Sequence, residues 1–478
     1  MSKESREQYD VMVVGAGSAG LTAADYARQL GAKVALIEAE RVGGDCTWTG
    51  CVPSKTLLAV ARAIREGRRA GKFGLADAGI RLDFTKVMEH VHEVVEDVFA
   101  AESPSVLEAR GIDIHSGRAR FAGPRSLMVN GQEIGGRRIM VCTGAGPVVP
   151  PIPGLEDVPF LTYETVWGLK ELPERLIVMG AGPVGCELAQ AFARLGSRVT
   201  LIDAAERILP HDEAEASGAL VEVFQKEGIQ VVLNTSVEQC WQERDAIGVR
   251  GSSGTFSGDA LLVAVGRKAR LEGLDLEKAR ITFSARGIQT DRNLRTSNPH
   301  VYAAGDCTGG LQFTHYAAWQ GALAVRNALL PGRTHGTTDL VPWTTFTQPE
   351  VAHAGLQEAE VRQRFGNAVR VRIWPIGRVD RAHTDGADSG FLKLVYRGSE
   401  KLLGVTIVAP QAGEMINEWV VALRHGLRVG ALAEAIHVYP TYGTLSMQAA
   451  ADVRVESAAT GRTGQLVRWL ARRWVRLR

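Results

Sequence analysis

The chain has 478 residues, too many for one hydrophobic core, and at roughly 150 residues per domain it predicts about three domains. With 55 basic against 53 acidic residues it has no global charge to attract a polyanion, so nucleic acid is not an expected partner. No stretch approaches about 20 uninterrupted apolar residues, residues 1–9 hold no apolar signal region, and the six cysteines (Cys46, Cys51, Cys142, Cys186, Cys240, Cys307) are too scattered for a secreted disulfide framework, so a cytoplasmic chain is expected.

An apolar run leads into VVGAGSAG at 13–20, which continues into a helical stretch ending at Leu30 and Gly31, and then into a strand closing on Glu38. The same order returns 165 residues later: VMGAGPVG at 178–185, a helical stretch ending at Leu195 and Gly196, and a strand closing on Asp203. Gly15, Gly17 and Gly20, and again Gly180, Gly182 and Gly185, have the spacing that lets a backbone turn tightly and approach a pyrophosphate at a helix N-terminus. The terminal acid accepts hydrogen bonds from an adenosine ribose. Two glycine turns of a purely structural sheet would not require the acid to recur, so two dinucleotide sites are expected.

Between the copies, residues 53–101 read as helical, with Leu57, Leu58, Val60, Ala61 and Ile64 in periodic register, followed by a β-rich stretch. A strand over 138–142 ends in a small-residue turn at Thr143 and Gly144, and the proline-dense run 147–153 marks a boundary. The second nucleotide unit closes on a strand over 261–265 and a turn at Gly266 and Arg267; a further strand runs into Gly305 and Asp306, and 313–330 reads as a helix. From about 341 the pattern changes to strands over 370–374 and 391–395 followed by two helices, without a nucleotide fingerprint, as expected of an interface or substrate domain. The divisions are 1–153, 154–267, 268–337, 338–460 and a tail, 461–478.

Directly behind the first copy stands GGDCTWTGCVPSK at 43–55. Two thiols four residues apart, Cys46 and Cys51, can close a disulfide across one turn, and Pro53 is placed to open a helix just after Cys51. A thiolate at a helix N-terminus beside Lys55 is stabilised and reactive. A stapling disulfide and half of a zinc site are the alternatives; zinc needs two more ligands at matching spacing, and none is found, so no metal site is expected.

With these motifs the chain, over about 9–455, resembles the flavoprotein pyridine nucleotide-disulfide oxidoreductases, the family of dihydrolipoamide dehydrogenase, glutathione reductase and mercuric reductase. The resemblance implies an α/β fold of two Rossmann-like domains, for FAD and NAD(P)H, with a C-terminal α+β domain that forms a homodimer. It implies that Cys51 is the charge-transfer thiol against the flavin and Cys46 the interchange thiol, with Lys55 beside the flavin and paired with Glu187; an ordinary surface ion pair is the other reading of those two. Gly43 and Gly44 in the cysteine motif, with Thr143, Gly144, Ala119, Gly305, Asp306 and His315, are implied to line FAD, and Gly266 is taken with the nucleotide sites.

Asp203 stands where NADH-using members carry an acid, so NADH is favoured, with Arg198 and Arg207 as the residues through which NADPH would be the alternative. At 437–444 the chain reads HVYPTYGT: Tyr439 occupies the position of the family's base histidine and Thr444 that of its glutamate, while His437 is read as structural. A phenol titrating near pH ~10 is a poor base at neutral pH, which puts efficient lipoamide or glutathione turnover in doubt. Mercuric reductase also lacks that histidine, but it delivers its ion through C-terminal cysteines, and no cysteine follows Cys307. The expected function is an oxidoreductase passing electrons to an unassigned small-molecule acceptor (a disulfide, a quinone or a metal ion); a non-catalytic or weakly active flavoprotein redox sensor recruited to a membrane surface is the alternative. Residues 466–478 carry five arginines and no acid, with Leu466, Trp469, Leu470 and Leu477 along one helical face, a pattern suited to peripheral contact with the inner membrane face or to docking on its own domain.

Overall fold

In the computed structural model, which describes residues 8–75, 79–398, 400–460 and 462–475, the strand Tyr9–Val14 lies in the middle of a parallel sheet. Its neighbours on one side are Val34–Glu38 and then Ile112–Ser116, and on the other Gln132–Val141 and then Val301–Ala303. Val11, Met12 and Val13 are wholly buried, as a strand covered on both faces requires. The far part of Gln132–Val141 continues into an antiparallel ribbon with Ser126–Val129 and Ala119–Gly123.

The helix Ser18–Gln29 buries only small residues, Ala19, Gly20, Ala23, Ala24 and Ala27, so the helix Thr314–Leu329 can pack closely on it. A Cβ on Gly321 would lie 2.2 Å from the Ala19 carbonyl oxygen. The second nucleotide sheet follows the same plan, with Arg175–Met179 between Arg198–Ile202 and Ala260–Val263, and Phe160–Leu161 beyond. The expected helical region is two helices, Cys51–Arg69 and Phe84–Ala100. The first begins at Cys51, two residues earlier than Pro53 suggested, because a proline in the first turn has no intrahelical N–H bond to forfeit.

These elements belong to one compact unit, Met1–Ala204 with Thr235–Thr338. The other comprises Ala205–Asn234 with Asp339–Arg478, so the stretch 205–234 of the second nucleotide segment clusters with the C-terminal part of the chain. That unit is built on an antiparallel sheet in the order Trp343–Thr345, Glu350–Gly355, Lys401–Ala409, Phe391–Arg397, Val369–Pro375. Trp374, Tyr396 and Trp419 fill its core beneath the helices Ala412–Arg424 and Thr444–Thr460. A final helix spans Arg462–Val475; Leu477, Arg476 and Arg478 of the tail pattern lie outside the described residues. No helix among the described residues is long and apolar enough to cross a membrane.

Lys393, 1% exposed, joins the two pieces of this unit: its Nζ lies 3.1 Å from Glu213, 2.8 Å from Glu215 and 2.8 Å from Glu358. Burial pulls its pKa down, but the three carboxylates outweigh burial and hold it above the ordinary value. Replacing it by Met strands the Glu213 carboxylate against an apolar neighbour. Lys393→Met is expected to lose about 3 kcal/mol in urea unfolding at neutral pH. The deficit should shrink as pH falls and the stranded carboxylates take up protons.

Candidate active site

Both glycine turns have the same local geometry. Gly15 has φ +98° and Gly180 φ +106°, and a Cβ on either would meet a carbonyl oxygen at 2.4 Å, that of Cys142 or of Ala264. A Cβ on Gly20 or Gly185 would lie 1.8 Å from the carbonyl oxygen of Gly15 or Gly180, so no side chain fits at these positions. Gly17 and Gly182 cap their helices without a side-chain hydrogen bond, which leaves the helix N–H groups to a ligand. Each terminal acid braces its own turn: Glu38 Oε2 accepts from the Ala16 N–H at 2.7 Å and Asp203 Oδ2 from the Ala181 N–H at 2.5 Å. Open glycine turns, uncapped helix starts and a terminal acid fit a dinucleotide at each copy. Gly266, at φ +133°, meets nothing within 4 Å among the described residues.

The first turn is joined to the cysteine motif by backbone alone. The Gly43 N–H donates to the Ala16 carbonyl at 2.9 Å, Gly43 and Gly44 have φ +105° and +60°, and a Cβ on Gly44 would be 2.7 Å from the Gly17 Cα. Cys46 therefore sits in the short helix Gly44–Trp48, and Cys51 starts the helix Cys51–Arg69.

Cys46 and Cys51 are two free, partly buried thiols, each of which shifts the other's ionisation. Cys51 is pulled down to about 6, first by the hydrogen bond from Cys46, against desolvation, and then by the Thr314 hydroxyl and the Lys55 charge; Glu187 opposes. Cys46 is pushed up, chiefly because it donates to Cys51 and is buried. Thr314 Oγ1 lies 3.2 Å from Cys51 Sγ, and Lys55 Nζ lies 2.8 Å from Glu187 Oε2. Glu187 is nearly buried, so this is more than a surface charge pair.

Asp306, partly buried with its pKa raised by desolvation, receives Arg267 Nη1 at 2.6 Å. Gly305, φ +79°, donates to Gln320 Oε1 at 2.9 Å. Thr143 Oγ1 donates to the Arg270 carbonyl at 2.8 Å, and Gly144 has φ +68°. His315, second in its helix, stacks on Phe313 with centroids 5.5 Å apart, and Ala119 is buried in the ribbon opposite Val129. Residues not singled out from the sequence also gather here: Thr314 at the thiolate, and Asp45, Arg267, Arg270 and Tyr163 around the cysteine helix. The only local signal for this cluster is the acid between Gly44 and Cys46.

In the C-terminal unit, both ring nitrogens of His437 are engaged, Nδ1 with the Ala435 carbonyl at 3.0 Å and Nε2 with Glu418 Oε2 at 2.9 Å. Tyr439 is 67% exposed; its hydroxyl donates to Asp380, which raises the phenol's pKa. Thr444 donates to the Val438 carbonyl at 3.4 Å.

In the reduced protein the Cys51 thiolate should persist above a pH of about 6 and be lost below it, as thiolate absorbance and alkylation rate will report. Thr314→Ala should move that midpoint upward, and an unmoved midpoint would remove Thr314 from the site.

Residues 9–321 match the family model described as pyridine nucleotide-disulphide oxidoreductase, and 341–450 match that family's dimerisation domain. A mercuric reductase of Bacillus cereus is 34% identical over 447 residues, spanning 92% of this chain and 71% of the relative. A dihydrolipoyl dehydrogenase of Thermus scotoductus is 37% identical over 456 residues, spanning 92% and 96%. Among solved structures, the Cu(II) complex of the HOCl-induced flavoprotein disulfide reductase RclA from Escherichia coli superposes with a TM-score of 0.83 at 29% identity, over 94% of this chain and 100% of that one.

Proposed function

Because the chain belongs to the pyridine nucleotide-disulphide oxidoreductase family, whose members are FAD-dependent NAD(P)H oxidoreductases with a dimerisation domain, we propose that it passes electrons from NADH through FAD to the Cys46–Cys51 disulfide and on to a small acceptor other than lipoamide or glutathione. The observation that carries this reading is the pair of free, partly buried thiols at Cys46 and Cys51, with Thr314 Oγ1 3.2 Å from the Cys51 sulfur and Lys55 held 2.8 Å from Glu187. FAD, when bound, supplies the route by which hydride from NAD(P)H becomes two electrons at the disulfide. As the S–S bond breaks, each sulfur gains one electron; the single proton that the hydride brings with the two electrons goes to Cys46, and Cys51 is left as a thiolate held by the Thr314 hydroxyl and the Lys55 charge. Glu187 fixes Lys55 in place.

The acceptor follows from proton accounting. Reducing a disulfide substrate requires Cys46 to lose its proton and the departing thiolate to gain one, which the family's histidine manages from the second copy. A phenol already donating to Asp380 holds its proton at neutral pH and accepts none. A quinone or a thiophilic metal ion makes no such demand, since a metal displaces thiol protons itself. The Cu(II) complex of RclA supports the metal branch, and so do the mercuric reductase relatives as far as the Cys46–Cys51 pair, although delivery through C-terminal cysteines has no counterpart in this sequence.

Asp203 favours NADH by repelling a 2′-phosphate. Arg198 is paired with Glu174 in an exposed ion pair, and Arg207 Nη2 donates to the Pro210 carbonyl at 3.1 Å while its buried Nε has no hydrogen-bond partner among the described residues. The enzyme should show a higher kcat/KM for NADH than for NADPH and oxidise it faster with quinones or metal ions than with lipoamide or glutathione disulfide. Cys46→Ser should abolish metal and disulfide reduction and spare quinone reduction. Disulfide turnover that survived this change would sink the interchange role of Cys46.

The tail belongs to the same proposal. Leu466, Trp469, Leu470 and Trp474, on one side of the helix, are all half exposed or more, and the sequence around them is basic without an acid. Such a face fits an anionic lipid surface. The full chain should float with liposomes containing anionic lipid, and a chain ending near residue 463 should not; equal flotation removes the idea.

A further inference from the structure

We infer that Asp45 is a positioning residue of the redox pair: its carboxylate fastens the helix that carries Cys46 to the two short strands where the chain passes between the nucleotide-binding segments, and Arg267 extends that fastening to Asp306. The inference deepens the redox reading above and rests on it for the role of the two cysteines.

Asp45 directly precedes Cys46, and its two ends serve different purposes. Its backbone carbonyl accepts from Thr49 N–H at 2.9 Å and from Gly50 N–H at 2.5 Å, closing the turn between the cysteines. Its carboxylate receives three donors from distant parts of the chain: Arg267 Nη2 at 2.7 Å and the Tyr163 hydroxyl at 3.2 Å on Oδ2, and Arg270 Nη1 at 3.1 Å on Oδ1. Arg267 opens the strand Arg267–Ala269, which pairs antiparallel with Ala145–Pro147. The first of these strands brings the chain back from the second nucleotide segment and the other leads into it.

The same neighbourhood holds the other end of the cysteine loop. Trp167 Nε1 donates to the Thr49 carbonyl at 2.9 Å and to the Tyr163 carbonyl at 2.7 Å, while the Tyr163 ring lies 5.3 Å from the Arg267 guanidinium carbon. Arg267 itself bridges two carboxylates, Asp45 and Asp306, all three side chains less than a quarter exposed. Arg270 is shared in turn between Asp45 and Glu164. Charge-assisted bonds of this kind, partly shielded from water, are stronger than neutral ones and fix direction. Without the Asp45 charge, Arg267 keeps Asp306 but loses its grip on the helix, and Cys46 is no longer held against Cys51. A disulfide is favoured by the effective concentration of one thiol at the other, so a looser helix makes the disulfide easier to reduce.

Two measurements on Asp45→Asn test this. In the apoprotein equilibrated against glutathione, the constant for forming Cys46–Cys51 should fall about tenfold, roughly 30 mV for a two-electron couple. FAD titration of the same variant should show affinity weaker by about tenfold, because Asp306 loses the far anchor of its arginine. Asp45→Glu should recover most of both. A residue that merely supports the fold would lower the melting temperature and leave both constants at wild-type values, and that outcome overturns the inference. Should Asp45→Asn fail to fold, Tyr163→Phe removes one donor to the same carboxylate and should shift both constants in the same direction by a smaller factor; unchanged constants there also overturn it. Wild-type protein that takes up no FAD would instead sink the flavoprotein reading, while the glutathione equilibrium still decides the case for Asp45.

Discussion

The proposed chemistry depends on two neighbouring sulfurs, Cys46 and Cys51, that ionise unequally. Cys51 ionises the more readily, and on its side the Thr314 hydroxyl and the Lys55 ammonium lower its pKa. Glu187 works against them through its charge, yet it holds Lys55 at 2.8 Å. The pairing gives up some electrostatic pull on the sulfur in exchange for a cation that stays in one place. A flexible lysine with full charge but many positions would stabilise the thiolate less reproducibly.

The pair is where it is because glycine permits backbone to touch backbone. The two nucleotide turns share their φ angles, their close carbonyl contacts and their bracing acids, so the duplication extends to individual hydrogen bonds. They differ at one point. Gly17 is approached by Gly44, whereas a Cβ on Gly182 meets nothing within 4 Å among the described residues. The redox segment therefore leans on the first turn only, which is the physical reason the first copy, and not the second, lies beside the disulfide.

What could be read from the sequence was whatever depends on local spacing. The glycine turns, Glu38, Asp203, the cysteine pair and the helix after it are patterns within 30 residues, and the parallel sheets follow from buried apolar strands closing on glycine turns. Lys55 with Glu187 was legible only through the family resemblance, since 132 residues separate them. Thr314 is 263 residues from Cys51 and looks like any helix-opening threonine, and Arg267 is 222 from Asp45; nothing in their neighbours announces either contact. The clustering of 205–234 with the C-terminal unit was hidden for the same reason. Lys393 is one of its links, with Trp343 to Asp212 and the Glu358 N–H to Glu213, and a strand pattern would place that lysine in solvent until its three carboxylates are seen. His437 was read as structural from its position, and the engagement of both ring nitrogens gives a physical ground for that reading.

The replacement of the base is then a matter of which proton can move. A histidine at the Tyr439 position would accept the Cys46 proton near neutral pH, and a following glutamate would orient it. Here the orienting partner comes from another element, Asp380, and it accepts from the phenol instead of helping it accept. Thr444 turns its hydroxyl to a backbone carbonyl and contributes no charge. Both changes point the same way: a neutral hydrogen-bond donor now stands where a proton acceptor stood. With Cys46 itself pushed above the ordinary thiol range, its proton leaves only when the acceptor takes it or displaces it. The proposed function follows from this: such chemistry would suit an electron acceptor that brings its own proton demand or binds sulfur directly, and would disfavour one whose leaving thiolate must be protonated by the enzyme.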